Sequence, residues 1–273
     1  MKPKGIIYFT LFILLFWSVS VFAQFTPEEI AEREEIEEFL KTAKIVQHEK
    51  IGEGVTKPRR LYLQEGDMEM SGCWKNPTGI QGGALEGWQY EIAAYEMDKL
   101  LGLNMIPPTV QRVFKLKRGS LQYWITSEMS ELDRYKKEID IPPEHLEAWS
   151  KTKYIMRAFD CIIGNDDRTK QNTRYTKDWR IILIDHSRCF RSSEHWVENL
   201  PFGKNGFKQP AQIRTLPRAF VERIKALNYK NIQKAVGISL KDSEIKAVLA
   251  RKDLLVKEID DLIMEKGEDE VLY

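Results

Sequence analysis

The chain of 273 residues is 42% hydrophobic and 30% charged, an ordinary globular composition that suits one large domain or two lobes around a cleft. Its 42 lysines and arginines nearly balance 41 aspartates and glutamates. No global basic field therefore favours a nucleic-acid partner, and no acidic excess indicates a disordered, solvating protein. Three cysteines are too few for a disulfide-built scaffold, and no two of them have the spacing of zinc ligands.

The N-terminus, residues 1–23, has the layout of a secretory signal peptide. Two lysines precede an uncharged apolar run over residues 6–23, which ends in Val21, Phe22 and Ala23. Cleavage after this run is favoured. The alternative is an uncleaved membrane tether, because about 18 apolar residues is the lower limit for crossing a bilayer. Both interpretations predict export to a periplasmic, extracellular or secretory-lumen location.

Residues 24–45 are predicted to form an amphipathic helix. Thr26 stands at the N-cap position, Pro27 at the first helical position and Glu29 at the position that completes a capping box. The apolar residues that follow recur at helical spacing, so we expect one side of this helix to pack on the domain.

Residues 46–130 are predicted to form a small β-rich lobe. Short β-prone runs alternate with glycines, as they do in hairpins. One helical pattern, EGWQYEIAAYEMDKLLGL, interrupts them and is expected to stop at Gly102. Two further strands follow, with a turn predicted at Arg118 and Gly119.

Helices dominate residues 131–273, which are predicted to form a larger lobe. A long helical pattern leads into a polar stretch, GNDDRTKQN at 164–172, and the apolar run IILID then ends on Asp185. The fold class expected is α+β, with two lobes like those of protein kinases. Cys161 and Cys189 flank the polar stretch; export permits one bridge between them, although buried free thiols are favoured.

The polar stretch and Asp185 contain the groups that phosphoryl transfer requires. Such a site needs a carboxylate for the proton of the nucleophile, oxygen ligands for Mg²⁺ or Mn²⁺, and a lysine for the phosphates. In protein kinases the base and an asparagine lie on one loop with four residues between them, and a metal-binding aspartate follows one short hairpin later. Asp167, Asn172 and Asp185 have this spacing. The alternative is a surface turn, because Asn, Asp and Gly are the usual turn formers.

The small lobe supplies a candidate lysine and a candidate glutamate. Lys75 lies in a strand-like run after a glycine-bearing hairpin, and Glu91 lies on the following helix. A strand lysine held by a helix glutamate is what fixes the lysine on nucleotide phosphates in kinases. Taken singly, each residue is typical of a solvated surface. Their order relative to Asp167, Asn172 and Asp185 favours a common site.

The sequence resembles one family in several motifs. NDDRTKQN followed by LIDHSRCF is similar to the N-x-D-R-x-x-x-N motif and aspartate hairpin of the phosphatidylinositol 3-/4-kinase-like atypical kinases, in particular the secretory-pathway Golgi casein kinase type and its bacterial relatives. That group also has a GxxT-like glycine hairpin, a strand lysine, and a segment E-I-A-A-[YF]-x-x-D followed by V-P-P-T. The segment EIAAYEMDKLLGLNMIPPTV of this chain is similar to it. The resemblance extends over residues 46–190 and departs after Asp185, where His-Ser replaces the Phe-Gly of ordinary protein kinases.

The resemblance implies an exported kinase that transfers the γ-phosphate of ATP, with Mg²⁺ or Mn²⁺, to a hydroxyl acceptor on a protein, glycan or lipid. It implies that Asp167 is the catalytic base and that Asn172 and Asp185 are the metal ligands. It also implies that Lys75 holds the nucleotide phosphates, while Glu91 orients that lysine or helps at the metal.

The resemblance assigns the remaining nucleotide contacts to two other segments. Gly52, Gly54 and Thr56 would cover the phosphates, and Glu128 and Met129 would lie near the hinge that meets the adenine. Two alternatives from other classes stay open. One is a pseudokinase that acts as a nucleotide- or partner-binding module, and the other is a nucleotidyl transferase on the same fold.

Two further residues of the motif receive different interpretations. His186 is expected to pack against the helix rather than to act as a base, because Asp167 already fills that role. Asp166 has no assigned role; a third metal contact and a solvated loop residue are both open, with the second favoured.

Overall fold

The computed structural model describes residues 25–52, 57–81, 83–208 and 213–273. The predicted signal or tether, residues 1–23, lies outside these ranges, and so do Gly54 and Thr56. Within the described ranges, none of the helices has the length and apolar character that crossing a membrane requires.

The small lobe is built mainly from strands. Its described strands are β1 (Lys44–Lys50), β2 (Arg59–Glu65), β3 (Met68–Lys75), β4 (Thr78–Gln81), β5 (Ala84–Gly87), β6 (Thr109–Phe114) and β7 (Lys117–Tyr123). Five of them form an antiparallel sheet in the order β1-β2-β3-β7-β6, and β4 pairs with β5 in a separate hairpin. The predicted β-rich lobe is therefore confirmed.

The N-terminal helix predicted over residues 24–45 is divided into α1 (Pro27–Ala31) and α2 (Arg33–Thr42). The expected capping box is present. The Thr26 hydroxyl accepts the backbone N–H of Glu29 at 3.2 Å, and the Glu29 carboxylate accepts that of Thr26 at 2.7 Å. The apolar side of α2 packs against the five-stranded sheet and closes a small core there.

The turn predicted at Arg118 and Gly119 is wrong. The β6–β7 hairpin turns instead at Lys115 and Leu116, whose φ angles are 48° and 64°. Gly119 lies inside β7, where an added Cβ would stand 2.4 Å from the carbonyl oxygen of Lys75. The glycine therefore serves the close approach of β7 to β3 rather than a turn.

The larger lobe is mostly helical, and α3 (Trp88–Leu101) packs between it and the sheet. The predicted end of α3 is confirmed, since Gly102 has a φ of 65° at its C-cap. The described elements of the larger lobe are β8 (Met129–Ser130), α4 (Glu131–Lys136), α5 (Leu146–Ile163), β9 (Thr173–Tyr175), β10 (Ile181–Leu183), α6 (Glu194–Glu198), α7 (Arg218–Lys225), α8 (Tyr229–Val236), α9 (Asp242–Lys266) and α10 (Glu268–Val271).

The two segments that flank the polar stretch have the predicted structure. Helix α5 precedes the stretch, and IILID contains β10, which pairs with β9 in a small antiparallel sheet. Buried apolar residues of α3, α5 and α9 form one continuous core. The two-lobed α+β fold expected from the sequence is confirmed. Cys161 and Cys189 are buried free thiols, and the Cys161 thiol donates to the Phe202 carbonyl at 3.0 Å.

Asp98, in the last turn of α3, links this helix to the strand that leads to Asp185. Its fully buried carboxylate accepts the backbone N–H of Met105 at 2.9 Å, and the Met105 carbonyl accepts the N–H of Leu183 in β10 at 2.9 Å. The second oxygen of Asp98 has no hydrogen-bond partner among the described residues. Burial raises the pKa of Asp98 to about 7, against the opposing effect of the backbone N–H groups.

Asp160, in the last turn of α5, anchors the polar stretch. Its two carboxylate oxygens accept Nε and Nη2 of Arg168 at 3.0 and 2.9 Å, and one of them also accepts the Asn165 amide at 2.7 Å. The Asp160 and Arg168 side chains are only 1% and 4% exposed. Arg168 also donates to two main-chain carbonyls at 3.1 Å. The polar stretch is therefore a loop that the buried Asp160–Arg168 ion pair holds in place, rather than a solvated turn.

We expect Asp98→Asn to remove a pH dependence of the folding stability. The pKa of Asp98 is raised from its ordinary 3.8 to about 7 in the folded protein. The contribution of Asp98 to the free energy of unfolding is therefore fully present at a pH below its pKa in the unfolded chain. It is lost as the pH rises through its pKa in the folded protein. The free energy of unfolding of the wild type, measured relative to that of Asp98→Asn, should therefore fall by at most about 4 kcal/mol between about pH 4 and pH 8. Urea unfolding across this range measures the difference, and a constant value would contradict the expectation.

Asp160→Asn should destabilise the protein strongly. Removing one partner of a buried ion pair leaves the other charge uncompensated, which typically costs about 3–5 kcal/mol. The control is Glu147→Gln on the same helix, which breaks an ion pair with Lys151 in which the glutamate is 82% exposed. Denaturant unfolding of both variants should show a large loss for the first and a small one for the second. Equal losses would mean that Asp160 does not act through Arg168.

Candidate active site

Lys75, the last residue of β3, joins the two lobes through its ammonium group. Nζ donates to Oε1 of Glu91 at 2.8 Å and to Oδ1 of Asp185 at 2.7 Å. Glu91 lies in the first turn of α3 and is 2% exposed, and Asp185 follows β10. Three of the residues that sequence analysis singled out are thus brought together by one cation.

The charges of this cluster stabilise one another. Burial alone would raise the pKa of Glu91, but Lys75 and His186 outweigh burial and lower it. Burial alone would lower the pKa of Lys75, but Asp185 and Glu91 raise it well above its ordinary value. Lys75 is therefore a permanent cation at the base of the cleft.

Asp185 has a backbone conformation that few residues other than glycine adopt. Its φ is 62°, in the left-handed region that aspartate tolerates better than most side chains. Its Oδ1 accepts Lys75 Nζ and, at 3.4 Å, the hydroxyl of Ser187. The other oxygen, Oδ2, makes no hydrogen bond with a described residue, and the side chain is 37% exposed. Asp185 thus keeps one carboxylate oxygen without a partner among the described residues, on a side chain that solvent can reach.

Asp167 and Asn172 lie on the polar loop and are joined by a hydrogen bond from the Asn172 amide to the Asp167 carbonyl at 3.1 Å. The Asp167 carboxylate stands 3.3 Å from Nη1 of Arg188. Burial raises the pKa of Asp167, with Arg188 opposing it. The neighbouring Asp166 turns to Arg191 instead, at 3.7 Å.

Asp185 and Asn172 each offer an oxygen of the type that a hard divalent cation accepts. The Asn172 amide nitrogen is engaged, and its oxygen makes no hydrogen bond within the described part of the chain. Mg²⁺ and Mn²⁺ accept such carboxylate and amide oxygens and keep water or phosphate at their other positions. No cluster of three or more His, Cys, Asp or Glu side chains suited to a metal occurs among the described residues. An ion here would therefore need ligands from a bound substrate or from water.

A second ion pair between the two lobes, Glu86 with Arg188, was not predicted from the sequence. Glu86 in β5 is 2% exposed and accepts Nε and Nη2 of Arg188 at 3.0 and 2.9 Å. It also accepts the Ser187 hydroxyl at 3.1 Å. Leu85 and Glu86 lie on opposite faces of the strand because side chains alternate there. Hydrophobicity predicts that the leucine is buried, but in the structure Leu85 is 48% exposed and the glutamate is buried. The sequence contained one indication of this ion pair, which is the position of Arg188 three residues after Asp185.

His186 is packed inside the protein, as predicted. It is fully buried, its backbone N–H donates to Glu91 Oε2 at 2.9 Å, and its Nε2 lies 2.8 Å from Nη2 of Arg168. Burial lowers its pKa, with Glu91 opposing this effect. His186 thus connects Glu91 of α3 with Arg168 of the polar loop.

The predicted nucleotide-contacting residues lie in two connections. Gly52 is exposed just beyond β1, and Gly54 and Thr56 fall outside the described residues. Glu128 is exposed and donates its N–H to the Tyr175 carbonyl at 2.9 Å, while Met129 in β8 packs against the main core. Glu128 and Met129 therefore lie where the chain passes between the lobes, and their contact with adenine stays a prediction.

The fold is similar to that of solved kinases. The structure of hydra Fam20 with sugar matches with a TM-score of 0.67 and 16% identity, over 93% of this chain and 95% of that chain. The Golgi casein kinase with Mn and ADP bound matches with a TM-score of 0.65 and 15% identity, over 92% and 80%. A second structure of the Golgi casein kinase matches with a TM-score of 0.65 and 14% identity, over 92% and 79%. No family model matches the chain, and no curated protein matches it in sequence. The chain has the fold of the Fam20-like atypical kinases.

Proposed function

We propose that the protein is an exported kinase, of the phosphatidylinositol 3-/4-kinase-like kind, that transfers the γ-phosphate of ATP to a hydroxyl group. The observation that carries the proposal is the bonding of Lys75 to both Glu91 and Asp185. A strand lysine held by a helix glutamate binds nucleotide phosphates in kinases, beside an aspartate that holds the metal. The likeness to a Golgi casein kinase solved with Mn and ADP supports the same ligands here.

Asp185 and Asn172 would hold Mg²⁺ or Mn²⁺, which when bound neutralises negative charge on the transferring phosphate. Lys75 would exchange its bond to Asp185 for the phosphates and keep its bond to Glu91, whose buried carboxylate has no other cation as close among the described residues. The rest of the nucleotide would be covered by the glycine hairpin and the hinge, through Gly52, Gly54, Thr56, Glu128 and Met129.

Asp167 would act as the base toward the acceptor hydroxyl. As the hydroxyl oxygen forms its bond to the γ-phosphorus, the bond from that phosphorus to the β–γ bridging oxygen breaks. ADP leaves with the electron pair, and the hydroxyl proton passes to the Asp167 carboxylate. Burial raises the pKa of this carboxyl, which favours proton acceptance. The acceptor would be a protein, glycan or lipid hydroxyl.

Export is part of the proposal. It is supported by the signal-like layout of residues 1–23, with two lysines, an apolar run and a small residue at its end. Both ATP and acceptor would then be met outside the cytoplasm, whether the segment is cleaved or kept as a tether.

We expect Asp185→Asn to abolish the metal-dependent binding and turnover of ATP. The substitution removes the negative charge offered to the metal while changing little in size. In a thermal-shift assay with Mg²⁺ or Mn²⁺, ATP at about a hundredfold over its Kd should stabilise the wild type by about 2.7 kcal/mol. Release of ADP would be followed in the same samples.

The matched control is Asp178→Asn, which lies on the β9–β10 hairpin and removes an exposed aspartate paired with Arg180. It should keep both the shift and the turnover. A wild-type shift without turnover would replace the kinase proposal with a nucleotide-binding pseudokinase. The absence of any shift would reject a nucleotide site at Lys75.

A further inference from the structure

Arg188 is held in the cleft by a glutamate from the other lobe. Glu86 engages Nε and Nη2 of this arginine at 3.0 and 2.9 Å. Because Glu86 is 2% exposed, its charge requires a nearby cation, and Arg188 supplies it. The ion pair therefore fixes one side of the guanidinium group and leaves Nη1 on the other side.

The remaining nitrogen, Nη1 of Arg188, lies next to Asp167, the proposed base. Nη1 lies 3.3 Å from Oδ2 of Asp167, and Arg188 is the cation that contacts this carboxylate within the described part of the chain. Arg188 is also close enough to Asp185 for their charges to attract. Ser187 joins Asp185 to Glu86, with distances of 3.4 and 3.1 Å. The free edge of Arg188 thus lies beside the proposed base, and Glu86 and Ser187 connect the same side chain to the proposed metal ligand.

A phosphoryl group on its way from ATP to the acceptor would cross this space. Negative charge is spread over its three outer oxygens in the transition state. A guanidinium group suits such oxygens because it is permanently charged and planar and offers several N–H donors in a fixed fork. With Nε and Nη2 committed to Glu86, Nη1 is the donor that is free to exchange Asp167 for a phosphoryl oxygen.

We propose that Arg188 is a catalytic residue that stabilises the transferring phosphoryl group, an inference that rests on the proposed kinase function. Nη1 leaves Asp167 and donates to an outer oxygen of the γ-phosphoryl group while the acceptor oxygen bonds to phosphorus and the bridging oxygen departs with ADP. The acceptor proton goes to the Asp167 carboxylate that Arg188 has vacated. Glu86 is the positioning residue, since it keeps the guanidinium in place during the exchange.

A purely structural role for Arg188 makes a different prediction. If the arginine only orients Asp167, its removal would slow transfer and leave the binding of a phosphoryl mimic unchanged. A catalytic Arg188 adds a contact that exists only when a phosphoryl-like anion lies between ADP and the base. The two roles are therefore separated by ligand binding rather than by activity alone.

The test compares the full-length wild type with Arg188→Met in two measurements. The first is the thermal shift with ADP and Mg²⁺, without and with fluoroaluminate, an anionic mimic of the transferring phosphoryl group. The second is the rate of ADP release from ATP. We expect Arg188→Met to keep the ADP shift, to lose the extra shift from fluoroaluminate and to lower turnover, because arginines in this role contribute about 10³- to 10⁵-fold. Arg180→Met is the matched control: that side chain is 23% exposed, against 24% for Arg188, and it pairs with Glu29 and Asp178.

Two further variants keep the test decisive if Arg188→Met does not fold. Arg188→Lys keeps the charge without the fork, and Glu86→Gln keeps the arginine without its anchor. Both variants should reduce the extra thermal shift that fluoroaluminate gives. Both should also lower kcat by a larger factor than they raise KM for ATP. Arg188 variants that retain the full fluoroaluminate increment, whether or not turnover falls, would overturn the catalytic role of Arg188 while leaving the kinase proposal intact. A wild type without any ADP shift would overturn the proposed function itself.

Discussion

The ammonium group of Lys75 is the interaction on which the rest of the site depends. It binds a helix glutamate that has almost no exposure and also Asp185, which lies 110 positions after Lys75 in the chain. An isolated buried carboxylate is costly, and breaking such a pair leaves the other charge uncompensated. The two lobes are therefore held in the arrangement that brings β3, α3 and the end of β10 to a common point. Because Asp185 is the most exposed of the three partners, it is also the one that can be released to a cation without leaving a charge buried.

From Lys75 a chain of polar contacts crosses the cleft to the polar loop. Asp185 contacts Ser187, Ser187 contacts Glu86, and Glu86 holds Arg188, whose remaining nitrogen meets Asp167. Neutral Ser187 separates the two carboxylates of Asp185 and Glu86, and each ionised group on the path has one oppositely charged neighbour: Lys75 for Asp185, and Arg188 for Glu86 and Asp167. The phosphates and the divalent cation of the proposed reaction would bring the same two signs and would replace these internal partners in pairs. Exchange of partners therefore costs less than exposing an empty site whose charges had no counterpart.

Much of this arrangement follows from sequence patterns, and the exceptions have physical causes. The order of Lys75, Glu91, Asp167, Asn172 and Asp185 was sufficient to bring these residues into one candidate site, because each lies next to a recognisable helix or strand. Gly119 was misread as a turn because close approach between two strands depends on tertiary packing that a local pattern does not contain. Glu86 was missed because its burial depends on an arginine 102 positions later, whereas hydrophobicity points to Leu85. Gly54 and Thr56 lie outside the described residues, so their part of the prediction is untested.

The polar loop combines side chains that stabilise the fold with the carboxylate that is proposed as the base. Its inward side chains, Asn165 and Arg168, converge on buried Asp160, and the outward carboxylates of Asp166 and Asp167 meet arginines from the segment after Asp185. A neutral residue in place of Arg168 would leave the Asp160 carboxylate buried without a cation, and the loop would lose its fixed position. The outward pair has no such constraint, since each carboxylate is at least partly exposed to water. The division explains why a dense run of charges is compatible with a stable fold. Arg168 neutralises the buried charge of Asp160, whereas Asp166 and Asp167 stay partly accessible to solvent.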